Sequence, residues 1–187
     1  MGTIRAHEFT SMDGVVDEPR WTFQYPFDPR MGQALADLMG GCRAILLGRR
    51  TYEMFAPAWS TRTASEDPGA PFMNDTPKYV VSATMAKPTW QNTELLGPYR
   101  PEGIRRLKER VDGGIYVSGS ATLVHALIAD DLLDELNLFV FPTTRGSGPR
   151  LFAEGEPRAW ALRRHEAYAN GALYLVYGRE PAATQGT

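Results

Sequence analysis

Residues 115–141 read IYVSGSATLVHALIADDLLDELNLFVF. Ile115 to Ser118 is a short apolar run of strand character, Gly119 interrupts it, and a helix is predicted over Ala121 to Ala129 before a second strand, Leu136 to Phe141. The same order occurs upstream, where the apolar strand Arg43 to Leu47 is closed by Gly48 and Arg49 to Phe55 has helical rather than alternating character. Two strand, glycine and helix-start units in one chain point to an α/β sheet with ligand-accessible turns.

The rest of the chain extends this pattern. Thr3 to Phe9 alternates as a strand, and Ser11-Met12-Asp13-Gly14 follows as a turn. A long loop then carries Trp21, Phe23, Tyr25 and Phe27 at period two, up to Asp28-Pro29, an N-cap followed by a first-turn proline. The helix predicted from that cap covers Arg30 to Met39 and stops at Gly40-Gly41. Residues 56–77 hold four of the 14 prolines and little periodicity, so they read as an irregular surface insertion. Strand Lys78 to Ser82, helix Pro101 to Val111, and a hairpin pairing Trp160 to Tyr168 with Leu173 to Gly178 across Asn170-Gly171 complete the elements. The expectation is one domain over residues 1–179 and a frayed tail over 180–187, with a mostly parallel sheet, helices on both faces and an antiparallel C-terminal edge.

Composition narrows the function classes. A chain of 187 residues with 43% hydrophobic and 22% charged side chains falls in the range of globular domains with a real core. Twenty basic and 22 acidic residues leave a formal charge of -2 without a block of like charges, which excludes a nucleic-acid footprint. Cys42 is the single cysteine, so neither a disulfide within the chain nor a cysteine metal cluster can form. No apolar run approaches membrane-spanning length, and a cytoplasmic location is expected. His7, His125 and His165 show no metal-ligand spacing, so no metal is expected, and His125 reads as a packed helix residue. Neither Ser118 nor Ser120 lies in a nucleophile elbow, and no GxGxxG or GxxxxGK[ST] motif occurs.

What remains is anion chemistry at the two turns. Gly48-Arg49-Arg50-Thr51 and Gly119-Ser120-Ala121-Thr122 each precede or open a helix, where unpaired N–H groups and the positive dipole end attract phosphate. Together they suit a pyrophosphate, with hydroxyls from Thr51 and Thr122 and bidentate contacts from either arginine, although glycine turns at helix starts also occur for purely structural reasons. Asp13 sits where a carboxylate can reach a ligand over the sheet edge, or can simply close its turn. Trp21, Phe23 and Tyr25 offer rings for a flat substrate, or cover for a core or subunit contact. Glu53 is as compatible with a salt bridge as with catalysis.

The ordered set ILLGRRTYEMF (45–55), KYVVSATM (78–85) and IYVSGSATLVHALIADDLLDELNLFVFPTTRGSGPRLF (115–152), with the Ser-Met-Asp-Gly turn, resembles the dihydrofolate-reductase-like proteins grouped with the reductase domain of bacterial riboflavin biosynthesis. The resemblance implies the three-layer dihydrofolate reductase fold and an NADPH cofactor. It implies that Arg49, Arg50 and Thr51 bind phosphate groups, that Ser82 lies by the adenosine end, and that Gly119, Ser120, Ala121, Thr122 and Leu123 line the pyrophosphate. The nicotinamide is then expected near Ser11 to Gly14, with a small heterocyclic or pyrimidine-type substrate between it and the aromatic loop. The chain departs from dihydrofolate reductases in having Gly32 or Ala36 where they carry a helix carboxylate. It departs from riboflavin-pathway reductases in having Phe55 and Ala56 where they carry an aspartate.

The expected activity is hydride transfer from NADPH, with Asp13 or bound water delivering the proton. The alternative is a nucleotide-binding sensor or interaction protein that keeps the fold without turnover. The resemblance further implies a homodimer, for which the apolar Leu136 to Phe141 segment with Pro142 is the expected contact edge.

Overall fold

Alternation in the first strand sets the layers. β1 (Thr3–Ser11) sends Ile4 and Ala6 into a core shared with Ile104, Leu107, Leu123, Val124 and Leu127, while Phe9 packs on the opposite side with Met31, Ala34 and Phe139. The computed structural model describes the chain except residues 17–18, 153–154, 156 and 180–187; the expected frayed tail lies outside the described residues. After β1 come α1 (Pro29–Gly40), β2 (Cys42–Gly48), α2 (Arg49–Trp59), α3 (Ala70–Asp75), β3 (Lys78–Val81) and β4 (Thr93–Gly97). They are followed by α4 (Pro101–Arg110), β5 (Gly114–Ser118), α5 (Ala121–Ala129), β6 (Glu135–Phe141), β7 (Trp160–Ala167) and β8 (Leu173–Arg179).

The eight strands lie in the order β4-β3-β2-β5-β1-β6-β8-β7. Every pairing from β4 through β6 is parallel, and β8 and β7 add the antiparallel edge that the Asn170-Gly171 turn predicts. Gly171 adopts φ +84°, a conformation open to glycine at little cost. α4 and α5 cover one face, and α1, α2 and α3 the other, which gives the expected three layers. The chain first winds outward from β1 to β4 and then returns to place β5 between β2 and β1. The carboxyl ends of β2, β5 and β1 therefore meet at a topological switch point, the usual ligand position in such sheets. Asp28 caps α1 as read, its carboxylate accepting from Arg30 N–H at 3.0 Å with Pro29 in the first turn.

The structure departs from the sequence reading in four places. Residues 56–77 are not uniformly irregular: α2 runs through Pro57 to Trp59, and α3 occupies Ala70–Asp75. The buried stripe of α2, Thr51, Tyr52 and Ala56, is too short to show a period, and the proline disguises it. β4 escaped notice because it is a five-residue edge strand, half-exposed along most of its length. Within the aromatic loop Pro19–Gln24 forms a 3-10 turn, which the spacing of its rings does not reveal. β6 is no contact edge either, because it lies between β1 and β8 with Leu136, Phe139 and Phe141 at most 2% exposed. The sheet's edges are β4 and β7.

Among the described residues no helix is long and apolar enough to cross a membrane.

Candidate functional site

Because β2 and β5 are neighbours, the turns that leave them stand side by side at the carboxyl edge of the sheet. α2 begins with Gly48 as its N-cap and α5 with Ser120, and neither helix receives a side-chain cap. Their first N–H groups are therefore left for a ligand or solvent. The two turns abut: a Cβ on Gly48 would lie 3.0 Å from Ser120 Oγ, and one on Gly119, at φ +62°, would lie 3.3 Å from Thr51 Oγ1. The small residues form a cradle that a single methyl group would crowd, which fits the close backbone approach a pyrophosphate needs.

Side chains around the cradle follow from the same placement. Thr51 is buried at its floor and Leu123 packs into the core beneath it, whereas Ser120 and Ala121 are half-buried and Thr122 is exposed. Arg49 and Arg50 both project into solvent, but Arg49 is engaged by Glu53 one helical turn on, at 3.0 Å. Arg50 has no ion-pair partner among the described residues. Ser82 follows β3, the next strand outward, and its Oγ accepts from the N–H groups of Thr84 and Met85 at 3.2 and 2.9 Å. The anion-binding residues read from the sequence, Gly48 to Thr51, Ser82 and Gly119 to Leu123, thus share the edge formed by β3, β2 and β5.

Asp13 has a different role from a proton relay. Its carboxylate accepts from Ser11 Oγ at 2.6 Å and from the N–H groups of Arg145 and Gly146 at 3.0 and 2.8 Å. These bonds, the Ser11 hydroxyl foremost, hold it well below the usual carboxylate range, so it is ionised and has no proton to deliver. Further bonds from Met12 N–H to Thr143 O and Val16 N–H to Pro149 O dock the turn after β1 onto the loop after β6. Asp13 is the pin between those loops.

The aromatic residues separate. Trp21 is 7% exposed and meets Phe141 edge-on at 5.6 Å between centroids, and Tyr25 leans on the same ring at 5.3 Å. Phe23 stands apart, 86% exposed. Trp21 and Tyr25 are therefore joined through β6, and Phe23 belongs to neither the core nor that pair.

Sequence reading missed two polar residues inside β1. His7 is buried between Phe9, Tyr116 and Phe139, with Tyr116 Oη 3.1 Å from its Nδ1 and no partner for Nε2 among the described residues. Burial lowers its pKa to about 4, so the ring is neutral. Glu8 points to the other face, is 6% exposed, and accepts from Gly119 N–H at 3.1 Å. Burial pushes its carboxyl up to about 8 against that hydrogen bond, which favours the charge. The signal was present: Glu8 shares the alternation of Ile4 and Ala6, so a carboxyl was due on a core-facing position of a central strand. His125, expected as a packed helix residue, is half-buried, its Nε2 2.9 Å from Arg150 O. No cluster of three potential metal ligands occurs among the described residues.

The sequence profile of the RibD C-terminal domain matches residues 2–174. No curated protein sequence matches the chain. Among solved structures, a presumed riboflavin biosynthesis protein of Shewanella sp. PV-4 superposes with a TM-score of 0.78 at 21% identity, covering 97% of this chain and 100% of that one. A pyrimidine reductase-like protein of Corynebacterium diphtheriae gives 0.66 at 15% identity, over 96% of this chain and 92% of the other. Dihydrofolate reductase of Enterococcus faecalis, solved with NADP(H), gives 0.65 at 15% identity, over 96% of this chain and 98% of the other. The profile match spans nearly the whole chain, the superpositions share its three layers, and the chain belongs to the RibD C-terminal domain family with the dihydrofolate reductase fold.

Proposed function

We propose that the protein is an NADPH-dependent reductase that transfers hydride to a C=N or C=O bond of a small heterocyclic or pyrimidine-type substrate. The observation that carries this reading is the pair of abutting, uncapped helix starts after β2 and β5, in a chain of the RibD C-terminal domain family. When bound, the dinucleotide supplies the hydride. The N–H groups opening α2 and α5 hold its phosphates, Thr51 adds a hydroxyl from the floor, and Arg50, unlike Arg49, offers a guanidinium not already engaged by a carboxylate. Asp13 ties the turn after β1 to the loop after β6, which helps exclude water from that end of the sheet. The proton comes from water, since Asp13 is ionised. Trp21 and Tyr25, which pack on Phe141, support the substrate side, and the exposed ring of Phe23 is left free to stack on the substrate. The protein works as a cytoplasmic homodimer.

Calorimetric titration with NADPH and NADH tests the site first. Micromolar NADPH binding, with NADH much weaker, is expected; failure of both to bind overturns the proposal. NADPH oxidation is then followed against pterins, pyrimidines, quinones and aldehydes. A nucleotide sensor without turnover is the second reading, favoured by the commitment of Asp13 to loop docking, and silence across that panel despite tight binding would select it.

A further inference from the structure

We propose that Glu8 is a positioning residue of the dinucleotide site that works as a protonated acid, holding the Gly119–Ser120 turn while keeping negative charge away from the bound phosphates. This inference rests on the reading of that edge as a dinucleotide site. Glu8 lies on β1 opposite Leu138 of β6, one residue beyond the pairing of His7 with Ser118, so its side chain meets the chain where β5 turns toward α5. There its Oε1 accepts from Gly119 N–H, in the turn whose small residues form the cradle.

A carboxylate at this point would act twice against a phosphate. It would repel the ligand's charge in a region screened from water, and its stronger hydrogen bond would draw Gly119 N–H away from the ligand side. A neutral carboxyl keeps the bond and adds no charge. The surroundings favour the neutral form. The group is 6% exposed and forms no ion pair among the described residues, and Leu138 across from it on β6 does not titrate. Tyr116 of β5 lies on the opposite face, against His7, and its phenol is held protonated by burial. At the start of α2, Arg49 is engaged by Glu53 and Arg50 is exposed; on α5, His125 lies against Arg150 O. None of these offers Glu8 a buried counter-ion. With its pKa raised to about 8, the proton is retained at neutral pH and lost in mildly alkaline solution.

The test is calorimetric titration of NADPH into wild type and Glu8→Gln between pH 7.0 and 9.5, above the range where the ligand's own phosphate titrates. If binding requires the proton, linkage raises the wild-type Kd about 30-fold across that range, approaching tenfold per pH unit at its upper end. Glu8→Gln keeps the hydrogen-bond acceptor without the titration and holds its Kd within about threefold. Buffers of different ionisation enthalpy at pH 8.5 should show wild type taking up about three quarters of a proton per NADPH bound, and the variant none. A flat wild-type profile overturns the role of Glu8 while leaving the dinucleotide site in place, and an equal slope in Glu8→Gln does the same. Absence of binding at every pH overturns both readings together. The wild-type profile and its proton uptake decide the matter even if the variant fails to fold.

Discussion

Substitution of Gly119 by alanine separates the stability of the cradle from its function. The residue holds φ +62°, where a side chain costs about 1–2 kcal/mol, and its new Cβ would press on Thr51 Oγ1 at 3.3 Å. For a domain of this size that cost lowers Tm by about 2–8 °C. Gly97→Ala provides the control, because Gly97 also has positive φ, +77°, but no atom lies within 4 Å of its Cβ position and it ends β4, on the sheet's edge. Both variants should lose similar stability in calorimetric melts. Only Gly119→Ala should lose NADPH, since the methyl group enters the gap between the two helix starts and displaces a charge-assisted N–H contact of about 1.5–3 kcal/mol. That corresponds to an increase in Kd of about 10- to 100-fold, measured by titration calorimetry. A Gly119→Ala protein that melts lower yet binds NADPH within twofold of wild type would refute the cradle.

Arg50→Ala should weaken NADPH about tenfold relative to NADH, while Arg49→Ala has a smaller effect because Glu53 already engages that guanidinium; equal effects on both dinucleotides would remove Arg50 from recognition of the 2′-phosphate, the group that distinguishes them. Asp13→Asn should lower Tm at pH 7 and reduce the loss of stability on acidification. The depressed carboxyl stabilises the fold above its ordinary value near 4, and that contribution disappears as pH falls below it; an unchanged melting profile from pH 7 to 3 would show that the pin is dispensable. Lys78→Met should destabilise by about 3–5 kcal/mol, since Nζ donates to the carbonyls of Met73, Asn74 and Thr76 at 2.9 Å each and lies over the Trp90 ring; denaturant melts showing under 1 kcal/mol would contradict that accounting.

The parts of the fold legible in the sequence are those in which local chemistry and tertiary placement agree. Asp28-Pro29 caps α1, Gly48 and Gly119 end buried parallel strands, and Asn170-Gly171 turns the hairpin, because each needs only its immediate neighbours to be satisfied. β4 and the continuation of α2 were illegible for the opposite reason: they owe their order to partners distant in sequence. β4 exists because β3 offers it an edge, and Asn74 links that region by accepting from Trp90 Nε1 at 2.8 Å and donating to Trp59 O at 2.9 Å. Lys78 illustrates the limit, since nothing in its neighbourhood of sequence announces a lysine with no solvent exposure; three carbonyls around the end of α3 create its site.

The site divides along the same line. The half proposed to bind the dinucleotide consists of backbone N–H groups and small residues, which a glycine turn after a strand displays directly. The protonation of its carboxyls depends on long-range hydrogen bonds and on burial, and both are properties of the assembled layers. Asp13 looks accessible in a Ser-Met-Asp-Gly turn, yet it is spent on N–H groups 132 and 133 residues away. Glu8 looks like one polar position in an alternating strand, yet it is buried in the assembled layers with its carboxyl against Gly119. Composition reveals how many carboxyls a chain has; only the packing around each of these two determines which gives up its proton and which keeps it.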